Sequence, residues 1–248
     1  MFSDKNYFTH LGSCLETFDT LESNSIDAII TDPPYGISYQ SHRKEKEERF
    51  DVIDGDDEID FEWLEQAARV LKRDGVMFVF CGWQTQSLFE TEIKLLFEVK
   101  SHVIWDRLHH GMGDLKASYA PRHDVAWFAL NKDSNFSFPH TRPQSIYRYQ
   151  KLTSEELEHP TQKPLSLMRA IVRDTTVAGQ IVFDPFMGSG TTGVAAVMSN
   201  RLFIGTEINQ TYFDIANRRI RGVSNVFTED TQASLFEGVQ DVHDSVAR

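Results

Sequence analysis

One short motif places a carboxylate, two prolines and an aromatic ring directly after an apolar run. Asp32, Pro33, Pro34 and Tyr35 follow the segment Asp27–Thr31. The prolines restrict the backbone and exclude helix just before them, so the chain is held extended. Asp32 accepts hydrogen bonds, the prolines offer only carbonyl acceptors, and Tyr35 offers a ring for stacking. The motif suits a planar group that bears an amino group, such as adenine or cytosine, although alone it fits a tight loop equally well.

A second motif combines an acid with a glycine-rich turn. Ile181–Phe183 is an apolar, β-rich run that is typical of a buried parallel strand, and Asp184-Pro-Phe-Met-Gly-Ser-Gly follows it. Gly188 and Gly190 allow a tight turn and the close approach of a ligand, and a helix is predicted from about Thr191. A strand, a glycine turn and a helix in this order predict a nucleotide-type cofactor site at the carboxyl end of the strand.

The spacing within this turn narrows the choice of cofactor. Gly188, Gly190 and Gly193 fit the dinucleotide pattern G-x-G-x-x-G, but Asp184-Pro-Phe-Met separates the strand from the first glycine. Asp184 would also place a carboxylate where a pyrophosphate needs to sit. No Gly-Lys-Ser/Thr follows, which excludes a P-loop. A carboxylate suits a ligand with a positive amino group, such as S-adenosyl-L-methionine. Glu207, which ends the next strand, has roughly the separation of an acid that binds ribose hydroxyls.

Strands and helices alternate along the chain and position these motifs. The predicted strands are Asn6–Phe8, Asp27–Thr31, Val76–Phe80, His102–Trp105, Val125–Leu130, Ile181–Phe183 and Leu202–Glu207. The predicted helices are Leu15–Leu21, Phe61–Leu71, Thr85–Phe97, Leu165–Val177, a helix from Thr191, and Tyr212–Ile220. This alternation predicts an α/β fold with a mainly parallel sheet.

Charge is unevenly distributed along this acidic chain. Its 248 residues carry a formal net charge of −12, which disfavours a polyanionic partner. Residues 102–151 nevertheless hold seven Lys or Arg, four acids and five histidines, so this section is locally basic. A basic patch that contacts nucleic acid and ordinary solvated charge are both compatible with this composition.

The length and the 40% hydrophobic content predict one domain, over residues 1–223. Residues 38–60 lack apolar periodicity and predict a mobile loop, and residues 224–248 predict an acidic, disordered tail. Without a long apolar run or a signal-peptide pattern, we expect a cytoplasmic protein that does not bind membranes, either monomer or homodimer. Cys14 and Cys81 are expected to be reduced core residues, and no Cys/His spacing indicates a metal site.

Three motifs resemble those of the amino DNA methyltransferases of the β group, in which the motif order is permuted. They are Thr31–Gly36, His159–Pro164 and Asp184–Thr192, in that order, within a resemblance that extends roughly from Gly12 to Arg221. The resemblance implies an α/β, Rossmann-like S-adenosylmethionine-dependent methyltransferase fold. Such a fold has a mainly parallel seven-stranded sheet with helices on both faces and a circularly permuted motif order. It also implies double-stranded DNA as the partner.

The same resemblance implies a set of binding residues. Asp32 to Tyr35 would hold the target base. The implied cofactor contacts are the glycine-rich motif (Asp184, Phe186, Gly188, Gly190 and Thr191), Glu207 on the ribose, the turn over the methionine end (Thr161, Gln162, Lys163 and Pro164), and Ser13 with Cys14 near the adenine. Ser13 is a departure, because the family has an acid at this position, and the adenine contact is therefore left open.

The resemblance places target recognition in residues 131–158, a short insert. We hypothesise that Arg142, Gln144, Arg148 and Gln150 read the DNA, because arginine pairs naturally with guanine and glutamine with adenine.

The predicted reaction is site-specific methyl transfer from S-adenosyl-L-methionine to adenine N6 in DNA, after the base leaves the duplex. Cytosine N4 is the alternative, since methylation of either base needs the same acceptors. Within the resembling family, an acid at the position of Asp32 is commoner in enzymes that methylate adenine. RNA or a protein glutamine amide would also fit the motif, but the motif order and the basic section favour DNA. The intact Asp32-Pro-Pro-Tyr disfavours a non-catalytic binding module. Asp184 and the lack of a second domain disfavour a dinucleotide oxidoreductase.

Overall fold

The computed structural model describes residues 6–35, 59–111, 116–153, 157 and 162–224. Within them one sheet contains eight strands: β1 (Tyr7–Leu11), β2 (Ile26–Thr31), β3 (Leu71–Cys81), β4 (Phe97–Asp106), β5 (His123–Asn131), β6 (Ile146–Arg148), β7 (Ile181–Asp184) and β8 (Leu202–Glu207). The helices are α1 (Cys14–Thr20), α2 (Glu62–Val70), α3 (Gln86–Leu96), α4 (Leu165–Thr175), α5 (Thr191–Val197) and α6, described over residues 210–224.

The sheet has the strand order β1-β8-β7-β2-β3-β5-β4-β6, and only β5 runs against the other described strands. The predicted mainly parallel α/β sheet is therefore confirmed. The expected count of seven strands is wrong, because β6 adds an eighth at the edge beside β4. Ile146 and Arg148 of β6 are exposed and Tyr147 is half-buried. Such a short edge strand lacks the apolar run that identifies a buried strand.

Helices cover both faces of the sheet, as the resemblance implied. Along β3, alternate residues point to opposite faces because the side-chain period of a strand is two. Val76, Phe78 and Phe80 pack in one buried cluster with residues of α4, α5 and α6. Met77, Val79 and Cys81 pack in the other cluster with residues of α1, α2 and α3. The chain thus buries both faces of its central strands.

The order in which the chain adds strands to the sheet reverses at the centre of the sheet. β2 and β7 are neighbours there, and the next strands along the chain, β3 and β8, lie on their outer sides. The carboxyl ends of all four strands meet at one edge of the sheet, because they run in parallel. Ligands of open α/β sheets bind in the crevice at such a switch point. The two motifs singled out above follow β2 and β7.

Some predictions concern residues outside the described part of the chain. These are Gly36, the mobile loop apart from residues 59–60, residues 154–156 and 158 of the recognition insert, His159, Pro160, Thr161, and residues 225–248 of the acidic tail. Cys14 and Cys81 are free thiols; Cys81 is buried in the core, whereas Cys14 is half-buried. None of the helices in the described ranges is long and apolar enough to cross a membrane. The same residues contain no group of three or more His, Cys, Asp or Glu side chains that could hold a metal ion.

Close packing between α5, α6 and β8 gives a test of the fold. A Cβ atom at Gly193 would lie 2.6 Å from both Phe203 Cε1 and Ile220 Cδ1, whereas one at Gly222 would meet nothing within 4 Å. Alanine favours helix over glycine by about 0.5–1 kcal/mol, and overpacking costs about 1–3 kcal/mol. We expect Gly193→Ala to lower the free energy of unfolding by about 1–2 kcal/mol. Gly222→Ala, the matched control, should raise it by up to about 1 kcal/mol.

Denaturant unfolding of the two variants measures this difference. Equal stability of the two alanine variants would contradict the tight contact at Gly193.

Candidate active site

A direct hydrogen bond joins the two motifs at the centre of the sheet. β2 and β7 pair in parallel through Ile29 and Phe183, so both strands end at the same edge of the sheet. Thr31, the last residue of β2, donates its hydroxyl to Asp184 Oδ1 at 2.8 Å. Asp32 therefore begins its loop next to the start of the glycine-rich turn.

The Asp184 carboxylate lies inside the protein, with only 3% of its surface exposed. Thr192 Oγ1, in the first turn of α5, donates to Oδ2 at 2.6 Å, and the Phe186 amide donates to Oδ1 at 3.2 Å. Burial raises the pKa of Asp184 to about 6, although the bonds from Thr192 and Thr31 oppose the shift. The negative charge of Asp32 raises this pKa further. The carboxylate thus fixes the strand, the turn and the helix relative to one another.

The glycine-rich turn needs glycine at two positions. Gly188 and Gly190 have φ angles of 51° and 75°, in the left-handed region that favours glycine. A Cβ at Gly190 would also lie 2.8 Å from Ala216 Cβ in α6, so the helix approaches the turn closely. Arg219 of α6 donates Nη1 to Ser189 Oγ at 2.8 Å. These contacts hold the turn in one conformation.

Glu207 lies at the end of β8 and faces the same turn. Its Oε2 accepts from the Gly188 amide at 2.9 Å, and its Oε1 accepts from the Asn209 amide at 2.9 Å. Its carbonyl accepts from the Gly12 amide at 3.0 Å, which ties the end of β1 to the site. A carboxylate oxygen can accept more than one hydrogen bond. The position is therefore compatible with the hydroxyls of a ribose.

Ser13 and Cys14 follow Gly12 at the start of α1. The Ser13 hydroxyl accepts from the Leu15 amide at 3.3 Å, and Glu16 Oε2 accepts from the Ser13 amide at 3.2 Å. This is a capping box that fixes the start of the helix. Burial raises the pKa of the Cys14 thiol to about 12, and the charge of Asp60 adds to the shift.

Both carboxylate oxygens of Asp32 have partners within the site. The Tyr35 hydroxyl donates to Oδ1, and Lys163 Nζ donates to Oδ2 in an ion pair. The ammonium also lies 4.7 Å from the centre of the Phe80 ring. The side chains are mostly enclosed, at 20% exposure for Asp32 and 11% for Lys163. Of the predicted turn Thr161–Pro164, Lys163 therefore reaches the residue predicted to bind the base.

Tyr35 is held against the core beside Asp32. Its ring meets the Phe89 ring edge to face at a centroid distance of 6.3 Å. Burial raises the pKa of Tyr35 well above its usual range, and the charge of Asp32 and the hydrogen bond to it act in the same direction. The hydroxyl therefore stays protonated and donates to Asp32. An ideal Cβ at Gly82, just after β3, would lie 3.4 Å from the Tyr35 ring.

Sequence reasoning missed several residues that build the site. Thr31 and Thr192 flank the two motifs, but their spacing alone does not reveal that both bind Asp184. Trp63 lies within the predicted helix Phe61–Leu71, but nothing in the sequence connects it with the site. Its ring meets the Phe186 ring edge to face at 5.6 Å, and its buried Nε1 has no hydrogen-bond partner in the described structure. A buried donor without a partner is a signal that only the coordinates provide.

Basic side chains lie at the same edge of the sheet, where β4 and β6 end and β5 begins. Arg122 donates to both carboxylate oxygens of Asp106, at 2.7 and 3.0 Å, and Arg148 Nε lies 3.9 Å from Oδ2. The bond from Arg122 and the bond from the Leu108 amide lower the pKa of Asp106 to about 2. More than half of each arginine side chain is exposed. Arg148, from the predicted recognition insert, is thus placed beside Arg122.

Comparison with known proteins identifies the class of enzyme that this fold and site define. Residues 26–218 match the N6_N4_Mtase family, described as DNA methylase. This match covers most of the chain, and the chain therefore belongs to this family of DNA methylases. It is a methyltransferase that acts on DNA, as the motifs predicted.

Two curated proteins show how similar the relatives are. The chain is 28% identical to the DNA adenine methyltransferase YhdJ of Escherichia coli (strain K12), over 88% of this chain and 84% of YhdJ. It is 31% identical to the type II methyltransferase M.HpaI of Haemophilus parainfluenzae, over 87% of this chain and 74% of M.HpaI.

Solved structures agree with the fold. A complex of M1.HpyAVI with SAM superposes with a TM-score of 0.67 at 29% identity, covering 86% of this chain and 99% of that protein. The cytosine-N4-specific PvuII DNA methyltransferase superposes with a TM-score of 0.67 at 17% identity, covering 90% and 95%. At 17% identity, the similarity to the PvuII enzyme shows only that the two proteins share a fold.

The raised pKa of Asp184 predicts a pH dependence of stability. The ordinary pKa is 3.8 and the folded value is about 6. From about pH 4 to 6, the unfolded carboxyl is ionised while the folded one still binds its proton, so stability falls as the pH rises. Asparagine does not titrate. The stability of the unsubstituted protein relative to Asp184→Asn should therefore fall by up to about 3 kcal/mol between about pH 4 and 7.

Urea unfolding of both proteins across this range measures the difference. Asp19→Asn, which removes an exposed carboxylate from α1, is the matched control. A difference between the protein and Asp184→Asn that is constant with pH would contradict the raised pKa.

Proposed function

We propose that this DNA methyltransferase transfers a methyl group from S-adenosyl-L-methionine to the N6 amino group of adenine in double-stranded DNA. The observation that carries the proposal is the position of Asp32. Its carboxylate follows a central strand, lies beside the Tyr35 ring, and is one residue from the Thr31–Asp184 bond. An acceptor for an amino group thus lies directly next to the turn that would hold the cofactor.

The residues present fit this cofactor. Asp184 and Glu207 add negative charge on two sides of the glycine-rich turn, which favours a ligand with an ammonium and a sulfonium. Both carboxylates are held by backbone or hydroxyl donors, so the site is formed in advance. S-adenosyl-L-methionine, when bound, supplies an electrophilic methyl group on positively charged sulfur.

We assign the cofactor contacts as follows. Glu207 accepts from the ribose hydroxyls, while Asp184 acts through its charge and through the turn that it fixes. The other proposed contacts are Phe186, Gly188, Gly190 and Thr191 in the turn, Ser13 and Cys14 at the start of α1, and Gln162, Lys163 and Pro164 before α4. The capping role of the Ser13 hydroxyl favours contact through the backbone of this segment rather than replacement of the family's acid.

On the acceptor side, Asp32 and Pro33 prepare the amino group. The exocyclic nitrogen is a poor nucleophile, because its lone pair is delocalised into the ring. Hydrogen bonds from its two N–H groups to the Asp32 carboxylate and the Pro33 carbonyl favour a tetrahedral nitrogen and stabilise the charge that develops on it. Pro34 keeps this acceptor backbone extended, and Tyr35 stacks on the base after it leaves the duplex. Much of the remaining rate enhancement is positioning.

Adenine is favoured over cytosine as the target base. Asp32 is the acid that the resembling family uses more often for adenine, and YhdJ is named as an adenine methyltransferase. Cytosine N4 presents the same two N–H groups and is the competing product.

Loss of the Asp32 carboxylate should slow methyl transfer much more than it weakens cofactor binding. The carboxylate stabilises charge that develops in the transition state, so we expect Asp32→Ala to raise the barrier by on the order of 3 kcal/mol or more, at least about a hundredfold in rate. Transfer of label from S-adenosyl-L-methionine to unmethylated duplex DNA measures the rate, and nucleoside mass spectrometry identifies the product.

The control is Asp19→Ala, which removes an exposed carboxylate from α1 and should leave the rate unchanged. N6-methyladenine that is lost in Asp32→Ala is the expected result. N4-methylcytosine would overturn the base assignment, and activity within about threefold of the unsubstituted enzyme would refute the role of Asp32.

We place the DNA on the edge of the sheet that carries Asp32, Arg122 and Arg148. Trp83 also belongs to this edge, in the turn between β3 and α3 beside Gly82. It is 66% exposed, and an indole ring stacks on any base with a gain of about 1–3 kcal/mol. Exposed arginines provide the phosphate contacts that the net charge of −12 otherwise disfavours.

Trp83 offers an optical test of this placement. The other tryptophans, at positions 63, 105 and 127, are at most 8% exposed, so a change in tryptophan emission on DNA binding should come from Trp83. We expect duplex DNA to quench the emission of the unsubstituted protein and to leave that of Trp83→Phe unchanged. The control is Leu95→Ala, which removes an exposed apolar side chain at the end of α3, away from the site edge.

Fluorescence titration with a duplex oligonucleotide makes this measurement. Equal quenching in Trp83→Phe would place the DNA elsewhere on the molecule.

A further inference from the structure

We propose that Lys163 is a positioning residue on the acceptor side, which keeps the Asp32 carboxylate charged and correctly oriented while the target base is bound beside it. The inference rests on the proposed function. It assigns Lys163 to Asp32 in addition to the cofactor contact that its motif implied. The observation behind it is the ion pair between Lys163 Nζ and Asp32 Oδ2.

The surroundings of Asp32 explain why a cation is needed. Four titratable groups face it: Tyr35 from its own loop, Cys81 at the end of β3, Asp184 at the end of β7, and Lys163 before α4. Tyr35 stays neutral and Asp184 repels a second negative charge. Burial, followed by the charge of Asp32, raises the pKa of Cys81 to about 12, so this thiol stays neutral. Lys163 is thus the cation among these described neighbours.

The structure also keeps Lys163 in place. Its side chain is 11% exposed, and its ammonium lies 4.7 Å from the centre of the Phe80 ring, which favours a cation over the ring face. Leu165, two residues later, begins α4, so the helix fixes the backbone that carries Lys163. The ammonium therefore has two partners in a confined position, and its contact with Asp32 does not depend on a flexible surface chain.

Base binding makes the ion pair more important. A stacked base excludes water from Asp32, and removal from water disfavours the ionised carboxylate. A protonated carboxyl would donate one hydrogen bond and accept the amino group less well. Lys163 opposes this protonation, because its ammonium contacts Oδ2 and stabilises the negative charge of the carboxylate. Each carboxylate oxygen accepts more than one hydrogen bond, so Lys163 can stay while the amino group binds.

The experiment compares Lys163→Met and Lys163→Arg with the unsubstituted enzyme. Methionine keeps an unbranched side chain over Phe80 and removes the charge, whereas arginine keeps the charge. For Lys163→Met we expect the acid limb of the kcat–pH profile to move up by about 1–3 pH units. Its rate relative to the unsubstituted enzyme should therefore be lowest at acid pH and rise towards about pH 9, and Lys163→Arg should largely restore the profile.

Binding of S-adenosyl-L-methionine and thermal unfolding are measured alongside. A Lys163→Met enzyme with unchanged pH profile but strongly weakened cofactor binding would overturn the proposal and leave Lys163 as a cofactor contact alone. An equal loss of rate at every pH would also overturn it. If the unsubstituted enzyme transfers no methyl group to DNA, the proposed function fails instead, so the two failures are distinguishable.

Discussion

The rest of the site depends on the hydrogen bonds that the buried Asp184 carboxylate accepts. It binds the hydroxyl of Thr31 at the end of β2 and that of Thr192 in the first turn of α5, and it caps its own turn through the Phe186 amide. One group therefore aligns two central strands and a helix. Burial of a carboxylate is costly unless hydrogen bonds satisfy it, and the raised pKa shows that three donors offset the cost only in part. The molecule accepts this cost where the two motifs must meet.

The same carboxylate creates an electrostatic problem that Lys163 addresses. Asp32, Asp184 and Glu207 all lie near one sheet edge. The enzyme itself has a net charge of −12, and it must nevertheless approach DNA, a polyanion. Negative charge suits a cationic cofactor but repels both DNA and a second ionised acid. The fold separates these demands in space. Lys163 lies at Asp32, whereas Arg122 and Arg148 lie further along the edge, where β5 begins and β6 ends.

Features that depend on neighbouring residues in the sequence could be predicted, whereas contacts between residues far apart along the chain could not. Buried strands such as β3 and β5 contain apolar runs that predict them directly, because local patterning reflects burial. The edge strand β6 has no such run and was missed. Motifs likewise identified Asp32 and Asp184, but not their contacts. The bond from Lys163 to Asp32 joins residues 131 positions apart, a contact that no local pattern encodes.

The missed strand links the proposed recognition insert to the acceptor site. β6 pairs with β4, and Tyr147 at its centre donates its hydroxyl to Asp174 Oδ2 at 2.8 Å, near the end of α4. At the other end of α4, Lys163 precedes the first turn and holds Asp32. A single helix thus contacts the recognition insert at one end and supports the acceptor carboxylate at the other. If the proposed insert docks on DNA and the proposed acceptor site holds the flipped base, this packed helix would set both in one common frame.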